Sequence, residues 1–75
     1  MNTRETPNPN FVWKDGFEDG VYILYYKGSP CGGVVRDVEL PFTFHCYVLG
    51  FDFGTKPTKS DAEALVFGIA NAADT

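Results

Sequence analysis

The sequence predicts an α+β domain in which a three- or four-stranded antiparallel sheet packs one face against a single C-terminal helix. Two observations predict this class: an apolar stripe of helical period near the C-terminus, and a run of β-branched and aromatic residues upstream of it. With 75 residues, the chain has room for one core. We expect residues 11–75 to form this single domain, and the polar residues 1–10 to form a flexible tail.

The helix is predicted by the spacing of small and apolar residues after position 60. Ser60 and Glu63 match the capping-box pattern S-x-x-E, and Thr58 with Asp61 is an alternative cap one turn earlier. Gly68 weakens the helix by about 1 kcal/mol relative to alanine, but it also lets a helix approach a sheet closely. The apolar stripe consists of Ala62, Leu65, Val66, Ile69, Ala70 and Ala73.

Three strands are predicted upstream of the helix, and a fourth is left open. Residues 21–27 (VYILYYK) form the first strand, and residues 34–38 pair with it in a hairpin. Between them, residues 28–33 (GSPCGG) form a loop. The third strand begins at Phe42. Residues 11–13 form either a short edge strand or a cap over one end of the core, which is why the count stays at three or four.

Alternation along the strands predicts which face of the sheet the helix covers. In the third strand, the core face consists of Phe42, Phe44, Cys46 and Val48. In the first strand, the residues expected to face the helix are Val21, Ile23 and Tyr25. The residues expected to face away are Tyr22, Leu24, Tyr26, His45 and Tyr47. A bulge or tight turn is expected at residues 49–50, where the alternation shifts phase. One helix covers one face, so aromatic surface is left for solvent, a homodimer or a partner.

Composition excludes some classes of function. Ten acidic against six basic residues give a net charge of −4, which argues against a protein that grips phosphate backbones. No apolar run approaches the length of a membrane span, and the polar N-terminus lacks a signal-peptide core, so we expect a cytoplasmic protein. Cys31 and Cys46 are too few for a disulfide framework; they are expected to stay as thiols, although their pairing on adjacent strands is left open.

No catalytic or metal-binding pattern is found, so we expect neither an enzyme nor a cofactor. His45 and Cys46 are adjacent in a strand, so their side chains point to opposite faces and cannot form a catalytic dyad. Two cysteines and one histidine without a C-x-x-C motif fall short of a zinc site. The loop GSPCGG is not followed by Lys-Ser or Lys-Thr, so it is not a phosphate cradle.

Binding to a protein partner is therefore the expected function, and two groups of residues are candidates for it. The acidic turn after the first aromatic residues would meet a basic surface, unless it is only a solvated turn. The aromatic surface of Tyr22, Tyr26 and Tyr47 is the second candidate, because tyrosine and tryptophan are enriched at interface hot spots. The alternative is that the tail or a fourth strand covers this surface. The candidate partner-binding residues are Trp13, Asp15, Glu18, Asp19, Tyr22, Tyr26 and Tyr47.

The end of the chain carries a strand-to-helix pattern that resembles a known signature. Residues 53–55 (FGT), Thr58, residues 61–62 (DA) and residues 72–73 (AA) resemble the LGTF-x-T-x-EEAA…AA signature of plant ethylene-response-factor DNA-binding domains, and are similar to phage integrase arm-binding domains. The resemblance implies a three-stranded sheet on one C-terminal helix, with DNA read by arginines and tryptophans of the sheet. The corresponding strands here carry Tyr22, Tyr26, His45 and Tyr47, with Lys27 and Arg36 as cations.

In size, acidity and aromatic content, the whole chain resembles the small phage proteins that disarm host defences, such as anti-CRISPR proteins. This resemblance implies an inhibitor that occupies a surface of a host nucleoprotein complex. The sequence thus predicts a non-covalent inhibitor or adaptor, either monomeric or homodimeric. The alternatives are a nucleic-acid-binding domain, which the strand-to-helix pattern implies, and a small structural or homodimeric phage protein.

Overall fold

The computed structural model describes residues 3–74 and confirms the α+β class, with one antiparallel sheet and one C-terminal helix. The sheet has six strands rather than three or four, and they follow chain order from β1 to β6. The strands are Thr3–Glu5 (β1), Phe11–Asp15 (β2), Val21–Tyr26 (β3), Ser29–Arg36 (β4), Phe44–Val48 (β5) and Phe51–Lys56 (β6). The helix α1 spans Lys59–Asp74.

Strand β1 lies within the stretch expected to be a tail. Polar sequence is compatible with an edge strand because only one side of it needs a partner. Arg4 forms an ion pair with Glu63 of the helix, and the Asn8 side-chain amide donates a hydrogen bond of 2.8 Å to Asn71 Oδ1. The segment is thus attached to the helix by polar contacts, which hydrophobic periodicity does not reveal. Residues 1 and 2 of the expected tail lie outside the described residues.

Two tight turns explain the remaining differences between the predicted strands and the observed ones. Lys27 and Gly28 both have positive φ, of 48° and 86°, as do Leu49 and Gly50, at 51° and 82°. Two consecutive positive φ values mark the hairpin turn whose twist matches that of its strands. The turn expected at residues 49–50 is therefore confirmed. At residues 27–28 the turn is shorter than predicted, so β4 already begins at Ser29.

The face of β3 that meets the helix is the opposite of the predicted one. Leu24 is fully buried, and Tyr22 and Tyr26 pack against the core, whereas Ile23 and Tyr25 lie on the open face. Both faces of VYILYY are apolar, so alternation within the strand carries no signal. The register with neighbouring strands decides the orientation. For β5, the predicted core positions Phe44, Cys46 and Val48 do face the helix. The prediction for Phe42 is wrong: β5 begins at Phe44, and Phe42 lies in the preceding turn with a φ of 53° and an exposure of 81%.

The core lies between the sheet and α1, which packs mainly on β4 and β5. Its buried residues are Phe11, Trp13, Leu24, Val34, Cys46, Val48, Ala62, Val66 and Ala70. A Cβ atom at Gly32 would lie 2.9 Å from both Val66 Cγ1 and the Tyr47 carbonyl oxygen, so the absent side chain allows the helix to approach β4. Gly68, the glycine expected to permit this approach, is instead exposed, with open space where a Cβ atom would lie.

The N-terminus of α1 is capped by the earlier of the two predicted alternatives. Thr58 Oγ1 accepts a hydrogen bond of 3.1 Å from the Asp61 amide, and the Thr58 carbonyl accepts the first helical bond, from Ala62. Glu63, the partner in the other predicted cap, instead pairs with Arg4. The hydrogen bond that the Arg4 guanidinium donates to the Glu63 carboxylate raises the pKa of Arg4.

Candidate functional site

The structure separates the predicted partner-binding residues into three places. Trp13 is buried beneath α1, with the Arg4 guanidinium 6.0 Å from its ring centroid, so Trp13 belongs to the core. Tyr26 packs against Phe11, with the ring centroids 4.9 Å apart. Tyr47 lies on the opposite face of the sheet, since its neighbours in β5 point into the core. These three aromatic residues do not form one surface.

The turn between β2 and β3 brings together the other four predicted residues, Asp15, Glu18, Asp19 and Tyr22. They line a hollow of about 260 Å³, together with Lys59 at the start of the helix. The Lys59 ammonium lies 4.1 Å from the centroid of the Tyr22 ring, which is a cation–π contact. We call residues 15–20 the acidic hairpin tip.

Backbone hydrogen bonds hold the acidic hairpin tip in one conformation. The Gly16 amide donates to the Val21 carbonyl at 2.7 Å, and the Val21 amide donates to the Glu18 carbonyl at 3.2 Å. Gly20 is buried and has a φ of 86°, which favours glycine, and its carbonyl accepts a bond of 2.8 Å from the Arg36 amide. The tip is thus tied both to its own strands and to β4.

Phe17 projects from this tip with a relative exposure of 104%, the highest of the exposed large hydrophobic residues. Phe17 is not among the residues predicted to bind a partner, although its position between two Asp-Gly turn signals could have revealed it. An apolar ring at the apex of a tight turn cannot reach the core of its own domain. Phe17 is therefore an aromatic side chain that this domain leaves without packing partners.

The charges around Phe17 are mostly available to a partner. Glu18 and Asp19 are exposed, and Asp19 Oδ2 lies 3.3 Å from Arg36 Nη2. The Asp19 side chain is 92% exposed, so this ion pair is screened by solvent and contributes little to stability. The tip therefore combines one apolar side chain with a net negative rim.

The open face of the sheet carries a second group of polar and aromatic residues. His45 Nε2 lies 2.9 Å from Asp37 Oδ2, and the His45 ring stacks on Tyr47 at 6.5 Å. This hydrogen bond, together with those donated by the Glu39 and Leu40 amides, lowers the pKa of Asp37 to about 2. The arrangement fixes the orientation of the imidazole on the open face.

A hollow of about 450 Å³ lies on the open face near β1. It is lined by Lys14, Tyr25 and Lys27, among others, and the Lys14 ammonium lies 4.8 Å from the Tyr25 ring centroid. Among residues 3–74, neither lysine forms an ion pair with a carboxylate. Both cations are therefore available to an anionic group.

The two cysteines, Cys31 and Cys46, are free thiols in the structure. Cys46 is buried on the helix side and His45 lies on the open side, which confirms that these neighbours do not form a dyad. Burial raises the pKa of both thiols. Cys31 lines an apolar groove of about 190 Å³ near the end of α1. Within residues 3–74, no cluster of His, Cys, Asp and Glu has the arrangement of a metal site.

No protein-family model, curated protein or solved structure matches the chain. In the part of the chain that the structure describes, no helix is both long and apolar enough to cross a membrane. The acidic hairpin tip and the open face of the sheet are the two candidate sites.

Proposed function

We propose that this chain is a small acidic protein-binding module that inhibits its partner by occupying a surface of it. The observation that carries the proposal is the fully exposed ring of Phe17 on a hydrogen-bonded turn. An aromatic side chain has only two rotatable bonds, so on a turn whose backbone is held by hydrogen bonds it loses little conformational entropy when it binds. Aromatic residues are also enriched at protein interfaces. Phe17 acts as the anchor, and it enters an apolar pocket of the partner.

The charge of the tip selects the kind of partner. Asp15, Glu18 and Asp19 surround the anchor, so the pocket that accepts Phe17 should have a rim of lysine or arginine. Complementary charges accelerate association and fix the orientation of docking, while the buried anchor provides most of the affinity. In the narrower form of the proposal, the basic rim belongs to a host defence nucleoprotein complex, as the resemblance to anti-CRISPR proteins implies.

The test begins with the tagged chain as bait in a bacterial lysate, with and without nuclease. We expect a stoichiometric protein partner that is retained after nuclease treatment. With that partner purified, Phe17→Ala should raise the dissociation constant at least about 30-fold, which corresponds to about 2 kcal/mol. Phe42→Ala is the matched control, because Phe42 is another phenylalanine with high exposure, 81%, outside the tip.

A charge variant tests the second part of the proposal. Reversing Asp15, Glu18 and Asp19 to lysine should lower the association rate and reverse its dependence on salt, because salt then screens a repulsion instead of an attraction. Wild-type affinity in both the Phe17→Ala variant and the charge variant would refute docking through this tip. The far-ultraviolet circular dichroism of each variant shows whether the fold is retained.

A second candidate function is nucleic-acid binding, and the hollow lined by Lys14, Tyr25 and Lys27 is the observation that favours it. Aromatic rings that stack on bases, flanked by cations, are typical of single-strand binding sites. The net charge of −4 repels a polyanion, however, and this makes it the weaker candidate. Loss of all retained material on nuclease treatment, with a steep fall of affinity in salt, would favour this function instead.

A further inference from the structure

The open face of the sheet has a charge pattern that is complementary to itself. Direct register partners place one row of side chains across five strands: Lys14 in β2, Ile23 in β3, Gly33 in β4, Tyr47 in β5 and Asp52 in β6. In β2 to β5, each residue of the row is next in sequence to a residue that faces the helix, so its own side chain points to the uncovered face. Asp52 lies on the same face because it is the register partner of Tyr47. Beyond Lys14 the row continues to Thr3 in β1, which carries no charge. The charged positions of the row are therefore a cation in β2 and an anion in the edge strand β6.

Gly33 lies midway between the two charged positions, with Ile23 next to it on one side and Tyr47 on the other. A two-fold axis that runs parallel to the strands, above Gly33 and midway between two stacked sheets, would place Ile23 opposite Tyr47 of a second copy. The same axis places Lys14 opposite Asp52, and because of the symmetry this ion pair occurs twice. The partner that fits the row is therefore the same row, turned by the axis.

The neighbouring row obeys the same symmetry. Val21, Val35 and His45 are register partners on β3, β4 and β5, and Val35 lies in the same strand as Gly33. The axis along β4 thus places Val35 opposite its own copy and Val21 opposite His45. A face with charges of one sign only, or with an acidic centre, would repel itself in this arrangement.

From this pattern we infer that a second copy of this chain packs against the open face, so that two sheets form a sandwich with the helices outside. Sheets pack about 10 Å apart with their strands nearly aligned, a distance that an extended lysine and an aspartate together can span. Lys14 and Asp52 are four strand spacings apart, about 19 Å, so the two ion pairs close opposite edges of an apolar centre. Because Gly33 has no side chain, Tyr47 and Ile23 can fill the middle.

This interface does not involve the acidic hairpin tip, so the inference stands independently of the proposed function. Each copy would keep its own Phe17 outside the sandwich. The interface covers one small sheet face, so we expect a dissociation constant of about 1–100 μM, in the range of modest interfaces.

A charge exchange tests the inference by sedimentation equilibrium of the full chain over a range of concentrations. Lys14→Asp and Asp52→Lys should each weaken self-association at least about tenfold, since each places like charges opposite each other twice. An equimolar mixture of the two variants should recover association, because in the mixed dimer both contacts again join opposite charges. The double variant Lys14→Asp/Asp52→Lys should recover it as well, without mixing.

Matched controls keep the same change of net charge but lie away from the open face. Lys59→Asp and Asp74→Lys, both on the helix, should leave self-association unchanged. A chain that stays monomeric up to about 1 mM would overturn the inference. So would a dimer that both single reversals leave intact, or one that neither the mixture nor the double variant recovers. The recovery arms separate the proposed contact from mere misfolding of a single variant.

Discussion

Adjacent residues of β3 allow a direct test of the orientation of the sheet. Leu24 is fully buried between Trp13 on β2 and Gly32 on β4, whereas Ile23, its neighbour of equal size, lies on the open face. Leu24→Ala removes buried methyl groups and leaves a cavity, which costs about 2–5 kcal/mol. Ile23→Ala leaves no enclosed cavity and should cost at most about 1 kcal/mol.

The loss of stability expected for Leu24→Ala is large for a domain of this size. At about 0.05–0.15 kcal/mol per residue, the whole chain is stabilised by about 4–11 kcal/mol. A loss of about 3 kcal/mol therefore lowers the melting temperature by about 12–24 °C. If the total stability is near the low value of about 4 kcal/mol, the same loss can unfold the domain. Urea unfolding monitored by Trp13 fluorescence measures the difference, since Trp13 is the only tryptophan and is buried beneath the helix.

The measurement should be made at a concentration where self-association is negligible, so that truncation at Ile23 reports on the monomer. A smaller loss of unfolding free energy for Leu24→Ala than for Ile23→Ala would refute the orientation described here. It would favour instead the opposite assignment, in which Val21, Ile23 and Tyr25 face the helix.

Four further predictions concern the helix, the strand β4 beneath it and one loop. Gly32→Ala should destabilise the domain by about 1–3 kcal/mol, because the new Cβ would lie 2.9 Å from the Val66 side chain; Gly68→Ala, with open space around it, should stabilise the domain by up to about 1 kcal/mol. Thr58→Ala should cost about 1 kcal/mol through loss of the cap. The pKa of Asp37 is about 2 in the folded chain against an ordinary 3.8, so its contribution to stability is present above 3.8 and is lost as pH falls through 2. Equilibrium unfolding checks each prediction, with Asp37→Asn expected to show a flatter dependence between pH 4 and 2. If Asp37→Asn left the pH dependence of stability between pH 4 and 2 unchanged, the role given to Asp37 would be wrong. A stabilising Gly32→Ala would contradict the close contact at β4, and a neutral Thr58→Ala would contradict the cap.

The helix was predictable from sequence because its signals are local. The stripe that contains Ala62, Val66 and Ala70 has a single period, and Thr58 is close in sequence to the amide that it caps. Similarly, β5 has one apolar and one more polar face, so its core positions follow from alternation.

The orientation of β3 and the strand β1 were not predictable for a physical reason. Both faces of VYILYY are apolar, so only pairing with β2 and β4 decides which one meets the helix. Strand β1 is polar, and its attachment depends on Arg4, which is 59 positions away from its partner Glu63. Contacts of this separation leave no trace in a local pattern.

The candidate site was predictable only in part. The acidic residues of the tip are visible in the sequence, but the importance of Phe17 depends on its exposure, which composition does not give. The row from Lys14 to Asp52 requires the register of five strands. A register cannot be derived when the number of strands itself is uncertain.

Hydrogen–deuterium exchange of the chain, alone and bound to the captured partner, is the most direct test of docking through the acidic hairpin tip. We expect binding to slow exchange at residues 15–22, which include Phe17, and to leave the amides of α1 unchanged. Slowed exchange confined to α1 or to β6, with residues 15–22 unaffected, would show that the partner binds elsewhere.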